Sequence, residues 1–329
     1  MTDCTIIISN YNSLHWLRIV VYQIRKHTKH PYHIVVSEQT EDPYEVQAEY
    51  NGWDMVTVVP NPTHSSGMGL DYVLKNVEIT TEYVCFLDVD AFPINDEWLS
   101  FPVMLLEKYD LTWVGLRAEI EKAYDLNYFH IAECYRVGRL RDFKLLSENV
   151  GWYQRKGDPF FDNAVCAQAW EDQNYKHKKL SLPVTGRMGV TLTEGEYGRV
   201  IGNLVMHFCL AFTSTLHEHR EKNVGDNWIG WENKIKTLSP QVVVEDMMSS
   251  VKYSHSLQPS QYWDGEKIAL LPDDIRKDVE YYTHRKGALS IPLHYVINKY
   301  NLSIRGVIHV GAHHGQEIVD YEDNGIRNI

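Results

Sequence analysis

The sequence predicts an α/β fold built on a mostly parallel sheet with helices on both faces. Three observations lead there. The N-terminal third alternates short β-branched runs with segments of helical apolar spacing, the pattern of βαβ units. An apolar fraction of 44% and a charged fraction of 23% are those of an ordinary globular chain. At 329 residues there is room for one large domain or two ordinary ones.

Taken in order, Thr5–Ile8 is a short apolar run, and Leu14–His27 carries Leu14, Leu17, Val20, Val21 and Ile24 at helical spacing. His33–Val36 reads as a second strand, Pro43–Tyr50 as a short helix and Val56–Val59 as a third strand. Gly69–Val77 is helical and Tyr83–Leu87 is a buried strand. Further on the pattern loosens. Glu97–Tyr109 reads as a helix, Leu111–Leu116 as a strand, Asp162–Trp170 as a helix capped by Asp162, and Val200–Phe208 as a strand. From His219 to Asn301 the chain is polar and aromatic with Pro240, Pro259, Pro272 and Pro292, which suits a helical or irregular connector. Gly306–Val310 is a last strand, followed by a turn with Gly311 and Gly315.

Charge and composition exclude several classes. The 32 Lys and Arg against 44 Asp and Glu leave a net charge of −12, which opposes general binding to nucleic acid or anionic membrane. The longest apolar run, Val200–Phe212, is broken by Asn203 and His207 and is too short to span a bilayer. No charged-then-apolar leader opens the sequence. The five cysteines (Cys4, Cys85, Cys134, Cys166, Cys209) are odd in number and scattered, and read as buried free thiols of a reducing compartment. A cytoplasmic enzyme or binding protein is expected.

In open parallel sheets ligands bind beyond the carboxyl ends of the strands. The segment Tyr83–Pro93 is the most informative such place. Asp88 and Asp90 stand two apart, so in extended backbone their carboxylates face one spot. Two carboxylates suit Mg2+ or Mn2+, which take oxygen ligands and complete their shells with phosphates and water. The rival is a solvated turn in which Asp90 caps a neighbour.

Four features, in this order, resemble GT-A glycosyltransferases of the family 2 type over roughly residues 4–215. They are the polar loop Ser9–Asn12 after the first strand, the acidic Glu38 ending the second, the Gly-containing loop His64–Leu70 opening a helix, and the Asp-x-Asp of Asp88 and Asp90. The resemblance implies a Rossmann-like mixed sheet with a C-terminal helical or irregular extension. It implies transfer of a sugar from a nucleotide-diphosphate donor to a glycan or other hydroxyl acceptor, with Mn2+ or Mg2+. It places Ser9, Asn10, Tyr11 and Asn12 in the nucleoside pocket, Tyr11 near the base, and Glu38 on the base or ribose. His64, Ser65 and Gly67 would approach the diphosphate or sugar. Asp88 falls on the ribose and metal side, and Asp90 on the metal.

Such enzymes often add a histidine from a later strand, and His207 fits that position. Imidazole binds Mn2+ alongside carboxylates; a buried core histidine is the rival. His217 and His219 are a lesser pair. In an inverting member a carboxylate deprotonates the acceptor hydroxyl, for which Asp162 and the pair Glu171 and Asp172 are candidates, Asp162 competing with its role as a cap. Trp152, Trp170, Trp228 and Trp231 either stack on sugar faces or belong to the core.

Val307–Glu317 resembles the first motif of FkbM-type methyltransferases, which use S-adenosylmethionine, with His309 where an Asp is common. Only Gln316–Ile329 follow Gly315, too little for the remaining βα units, so no functional S-adenosylmethionine site is expected. The chain reads as a piece of a longer two-enzyme polypeptide, or as one with a degenerate second domain. The expected divisions are a GT-A domain over 1–218, a helical or irregular extension or linker over 219–302, and an incomplete Rossmann-like methyltransferase start over 303–329. Expected partners are the donor, a glycan acceptor, and a fused or separate methyltransferase domain.

Other readings compete. Phosphohydrolases of the haloacid-dehalogenase kind also place Asp-x-Asp after an apolar strand, but that pair usually ends the first strand, and Phe92 stands where a small hydroxyl residue is common. Asp88–Phe92 also resembles a motif of lesion-bypass DNA polymerases, which the charge of −12 opposes. A non-catalytic nucleotide-sugar or glycan-binding protein of the same fold is the third.

Overall fold

The computed structural model describes residues 3–63, 66–117, 131–149, 151–152, 177–188, 198–208, 231, 233–258 and 260–284. The N-terminal part is the expected alternation: β1 (Cys4–Asn10), α1 (Leu14–His27), β2 (Tyr32–Glu38), α2 (Tyr44–Tyr50), β3 (Val56–Pro60), α3 (Ser66–Asn76) and β4 (Tyr83–Asp88). β1 lies between β2 and β4, parallel to both, and β3 continues the parallel block beyond β2.

Burial on both faces explains why β1 is apolar without alternation. Ile6 and Ile8 face α1, packing with Leu17, Val20 and Ile24, while Ile7 faces α3 with Leu70, Val73 and Leu74. Each such side chain fully removed from water contributes about 1.5–3 kcal/mol. α1 ends with Arg25, Lys26 and His27, cations placed favourably at the negative end of the helix dipole.

Later elements widen this block. They are β5 (Ala91–Pro93), α4 (Ser100–Tyr109), β6 (Trp113–Arg117), β7 (Ile131–Arg139), α5 (Leu140–Asn149), β8 (Lys179–Ser181), β9 (Val184–Met188), β10 (Gly198–Ile201), β11 (Val205–His207), α6 (Pro240–Ser249), β12 (Lys252–Gln258), β13 (Gln261–Trp263), β14 (Ile268–Ala269) and α7 (Asp273–His284). One sheet has nine strands in the order β14-β13-β8-β6-β7-β4-β1-β2-β3, and a second has five in the order β12-β9-β10-β11-β5. The architecture is a mixed α/β fold with a large central sheet flanked by helices.

The departures from the sequence reading have physical causes. β7 was not anticipated, because Glu133, Arg136 and Arg139 interrupt its apolar pattern; it runs antiparallel between β4 and β6. Arg136 is nonetheless buried, its guanidinium lying 4.7 Å from the Trp152 ring centre and 5.7 Å from that of Trp113. Val200–Phe208 is not one strand but a hairpin, β10 to β11, turning at Gly202 and Asn203, both at φ 56°. Two consecutive left-handed residues make the tight turn whose twist matches antiparallel strands.

Residues read as a connector contribute to both sheets: β12 pairs with β9, and β13 with β8. α6 packs on α1, and α7 on α4, where Phe101 stacks on Tyr282 with ring centres 4.2 Å apart. Lys108 and the Tyr109 hydroxyl each lie 2.8 Å from Oδ2 of Asp278. The Asp162–Trp170 helix and the Gly306–Val310 strand fall outside the described residues, as does the methyltransferase-like motif. No helix among the described residues is long and apolar enough to cross a membrane. Cys4, Cys85 and Cys134 are buried free thiols.

A buried carboxylate ties α3 to α5 and to the segment that follows it. Asp71 accepts hydrogen bonds from the Ser147 hydroxyl at 2.7 Å and the Trp152 backbone N–H at 2.7 Å. Burial pushes this carboxyl above its ordinary value, against the pull of those two donors.

Candidate metal and nucleotide site

The carboxyl ends of β1, β2 and β4 lie side by side, in register Ser9 to Asp88 and Asn10 to Glu38. Alternation sends Ser9 to the α3 face and Asn10 to the α1 face.

Asp88 is the last residue of β4, and Val89 and Asp90 form a turn before β5. The two carboxylates therefore converge through a turn, not through the two-residue repeat of extended backbone on which the sequence reading relied. β5 leaves the large sheet and pairs with β11, so that Ala91 faces His207 and the Phe208 N–H donates to the Asp90 carbonyl at 2.9 Å. That ladder carries the imidazole to the acidic pair. Nε2 of His207 lies 3.5 Å from Oδ1 of Asp90. Ligand atoms of Asp88, Asp90 and His207 all fall within 4.8 Å of one another. Trans donors on one Mg2+ at about 2.0–2.1 Å stand about 4.2 Å apart, so a small inward adjustment of the three side chains brings them onto a single ion of that size. Asp90 is 2% exposed, while Asp88 and His207 are partly buried.

The nucleoside residues of the sequence reading gather around the neighbouring strand ends. Asn10 and Glu38 are both fully buried, and Asn10 Nδ2 donates to Glu38 Oε2 at 2.6 Å. The other oxygen, Oε1, accepts the Thr40 N–H at 2.9 Å and the Thr40 hydroxyl. Thr40 Oγ1 in turn accepts the Asn12 N–H at 3.0 Å. Glu38 thus ties the loop after β1 to the loop after β2. Asn12 sits at φ 50°, a left-handed conformation that asparagine tolerates. Asn12, Ser13, His15, Arg18, Thr40 and Asp42 line a cavity of about 320 Å3 beside this link. Tyr11 is half-buried in the same loop.

On the α3 face, Gly67 is buried in the first turn of the helix and Gly69 lies against the strand ends. A Cβ on Gly69 would stand 2.6 Å from Ser9 Oγ and 3.0 Å from Ser37 Oγ, so glycine is what lets α3 seat there. Ser37 donates to the Gly69 carbonyl at 3.3 Å and accepts from Asn61 Nδ2 at 2.8 Å, while Gln39 Nε2 donates to Thr63 Oγ1 at 2.8 Å. Sequence reasoning did not single out Ser37, Gln39, Thr40 or Asn61. The rule that polar residues just past parallel strands are the places to look covers Gln39, Thr40 and Asn61.

His64 and Ser65 lie outside the described residues, as do the candidate bases Asp162, Glu171 and Asp172, the pair His217 and His219, and Trp170 and Trp228. Trp152 belongs to the core: it is fully buried between Phe143 and Trp113, and its Nε1 donates to the Phe143 carbonyl at 3.1 Å. Trp231 is buried against Phe208.

No protein-family model and no curated protein matches the sequence. Among solved structures, the chain is similar to the mannosyltransferase PcManGT from Pyrobaculum calidifontis in complex with GDP-Man and Mn2+, at 17% identity and a TM-score of 0.40 over 53% of this chain and 55% of that one. It is similar to S. aureus TarS 1–349 at 14% identity and a TM-score of 0.39, over 53% of this chain and 56% of that one. The same protein in complex with UDP-GlcNAc gives 15% identity and a TM-score of 0.37, over 50% and 54%. The chain thus spans about half the length of these structures.

Proposed function

We propose that the protein is a divalent-metal-dependent glycosyltransferase, moving a sugar from a nucleotide-diphosphate donor to a hydroxyl of a glycan or similar acceptor. The observation that carries the reading is the convergence of Asp88, Asp90 and His207 within 4.8 Å at the rim where β1 and β4 end. Two carboxylates and one imidazole are a donor set for Mn2+, and for Mg2+ if water replaces the nitrogen.

A cation held there by Asp88, Asp90 and His207 would neutralise the negative charge that develops on a departing nucleoside diphosphate. The remaining work belongs to the chain. The cavity beside Asn12 and Thr40 receives the nucleoside, and the Glu38 link holds its two walling loops at fixed separation. With both oxygens bonded inside the protein, Glu38 acts by orienting Asn10 and Thr40 more than by reaching the base. Ser9 and the first turn of α3, with Gly67, form the proposed side toward the diphosphate, and His64 and Ser65 are kept there as candidates from the sequence alone. Asp162 and Asp172 remain the proposed general bases for the acceptor hydroxyl.

The phosphohydrolase reading is not favoured. It needs a carboxylate nucleophile, usually at the end of the first strand, and β1 ends in Ser9 and Asn10.

A panel of nucleotide sugars tested by thermal shift, with and without Mn2+, decides the matter. A donor that raises the melting temperature only with Mn2+, and not in Asp90→Ala, is the expected result, since a ligand binding only the folded state stabilises it. No stabilisation by any nucleoside diphosphate sinks the reading. Donor binding without transfer to any acceptor would instead mark a non-catalytic binding protein.

A further inference from the structure

We propose that Asn203 is a positioning residue of the metal centre, through which α7 and β9 hold His207 in place; this rests on the metal reading above. His207 reaches Asp90 only because β11 pairs with β5 in one register, Val205 with Pro93, Met206 with Phe92 and His207 with Ala91. A slip of one residue would turn the imidazole to the opposite face of the sheet. β11 has three residues and β5 has three, so their own ladder is a weak guarantee of register.

The turn that begins β11 carries the guarantee. Asn203 is 6% exposed, and its backbone N–H and both side-chain polar atoms are hydrogen-bonded. Its backbone N–H donates to Thr185 Oγ1 at 3.1 Å, its Oδ1 accepts from that same hydroxyl at 2.8 Å, and its Nδ2 donates to the Thr283 carbonyl. The Gly202 N–H donates to the Pro183 carbonyl at 2.7 Å, next to this anchor. A single side chain therefore fastens the hairpin both to β9 and to the end of α7. α7 is itself clamped on α4 by Asp278 and by the Phe101–Tyr282 stack, and α4 follows β5. The result is a closed loop of contacts, with both strands that set the Asp90–His207 approach tied to the same helix. Residues far along the sequence from the acidic pair thereby bear on its third ligand.

The test uses the whole chain and Mn2+ alone as the probe. Mn2+ affinity and the imidazole nitrogen couplings of bound Mn2+ are measured by electron spin resonance for the wild type, Asn203→Gly, Thr185→Val, Thr185→Ser and His207→Ala. Asn203→Gly keeps a residue able to adopt positive φ and removes only the side-chain bonds. The expected result is a Kd raised about 10-fold in Asn203→Gly and in Thr185→Val, the scale on which supporting contacts of metal ligands act. The nitrogen couplings should be lost or reduced, as in His207→Ala, while Asp88 and Asp90 still retain the ion. Thr185→Ser keeps the hydroxyl and should restore wild-type values. Wild-type affinity and couplings in both Asn203→Gly and Thr185→Val overturn this proposal alone. A wild-type chain that takes up no Mn2+ overturns the metal reading together with it.

Discussion

Asp90 and His207 stand 3.5 Å apart, Oδ1 to Nε2, although one lies in the turn after β4 and the other ends a hairpin built from the second sheet. The contact sits where the two sheets meet. β5 is the segment that passes from one to the other, and its first residue follows Asp90 directly. Chemistry assigned to this spot depends on both sheets at once, which sets the first prediction.

Asp90→Asn keeps the size of the side chain and removes the charge. Metal-dependent turnover of the donor should fall by about 100-fold or more, the usual consequence of losing a preorganised charge at such a site. Initial rates at saturating Mn2+ check this. Unchanged rates would remove Asp90 from the machinery.

Gly69→Ala places a methyl group 2.6 Å from Ser9 Oγ and 3.0 Å from Ser37 Oγ. The helix must move off the strand ends or the serines must shift, at a cost of about 1–3 kcal/mol typical of overpacking. Urea denaturation should show the loss. Donor affinity should weaken with it, because α3 opens beside the proposed diphosphate position.

Glu38→Gln removes one of the acceptors that bind Asn10 and Thr40 and turns an amide NH2 toward donors already present. The expected cost is about 1–3 kcal/mol for a buried polar group left unsatisfied. If Glu38 acts by orienting the loops, donor KM rises while kcat at saturation stays near that of the wild type. A fall in kcat with unchanged KM would contradict that role.

Asp71→Ala leaves the Trp152 N–H without its acceptor in a fully buried position, and should destabilise the fold by about 1–3 kcal/mol. A pH dependence accompanies it. Burial raises the folded-state pKa of Asp71 above its ordinary 3.8, so its protonation favours the folded state. That contribution is fully present below 3.8 and is lost as pH rises through the folded value. The stability difference between wild type and Asp71→Ala should therefore shrink as pH rises from 3.8, measured by denaturant melts at each pH.

The parallel block was readable from β-branched runs and helical spacing, because β1, β2 and β4 are buried on both faces and α1 and α3 present one apolar stripe each. Patterns of that kind are local, and a window of a few residues contains them. The order of polar groups at the strand ends was readable for the same reason, since each follows its own apolar run. β7 escaped notice because a buried arginine, held over two indole rings, looks from the sequence like a surface residue.

Composition and periodicity were enough to announce an α/β sheet with acidic residues at its rim. Whether those residues meet was settled by the folded chain. The turn at Val89 and Asp90, the left-handed pair Gly202 and Asn203, and the crossing of β5 into the second sheet bring Asp88, Asp90 and His207 together. The turn pair belongs to a local hairpin, but the pairing of β5 with β11 is long-range, and its register is a property of two distant segments that is written in neither of them alone.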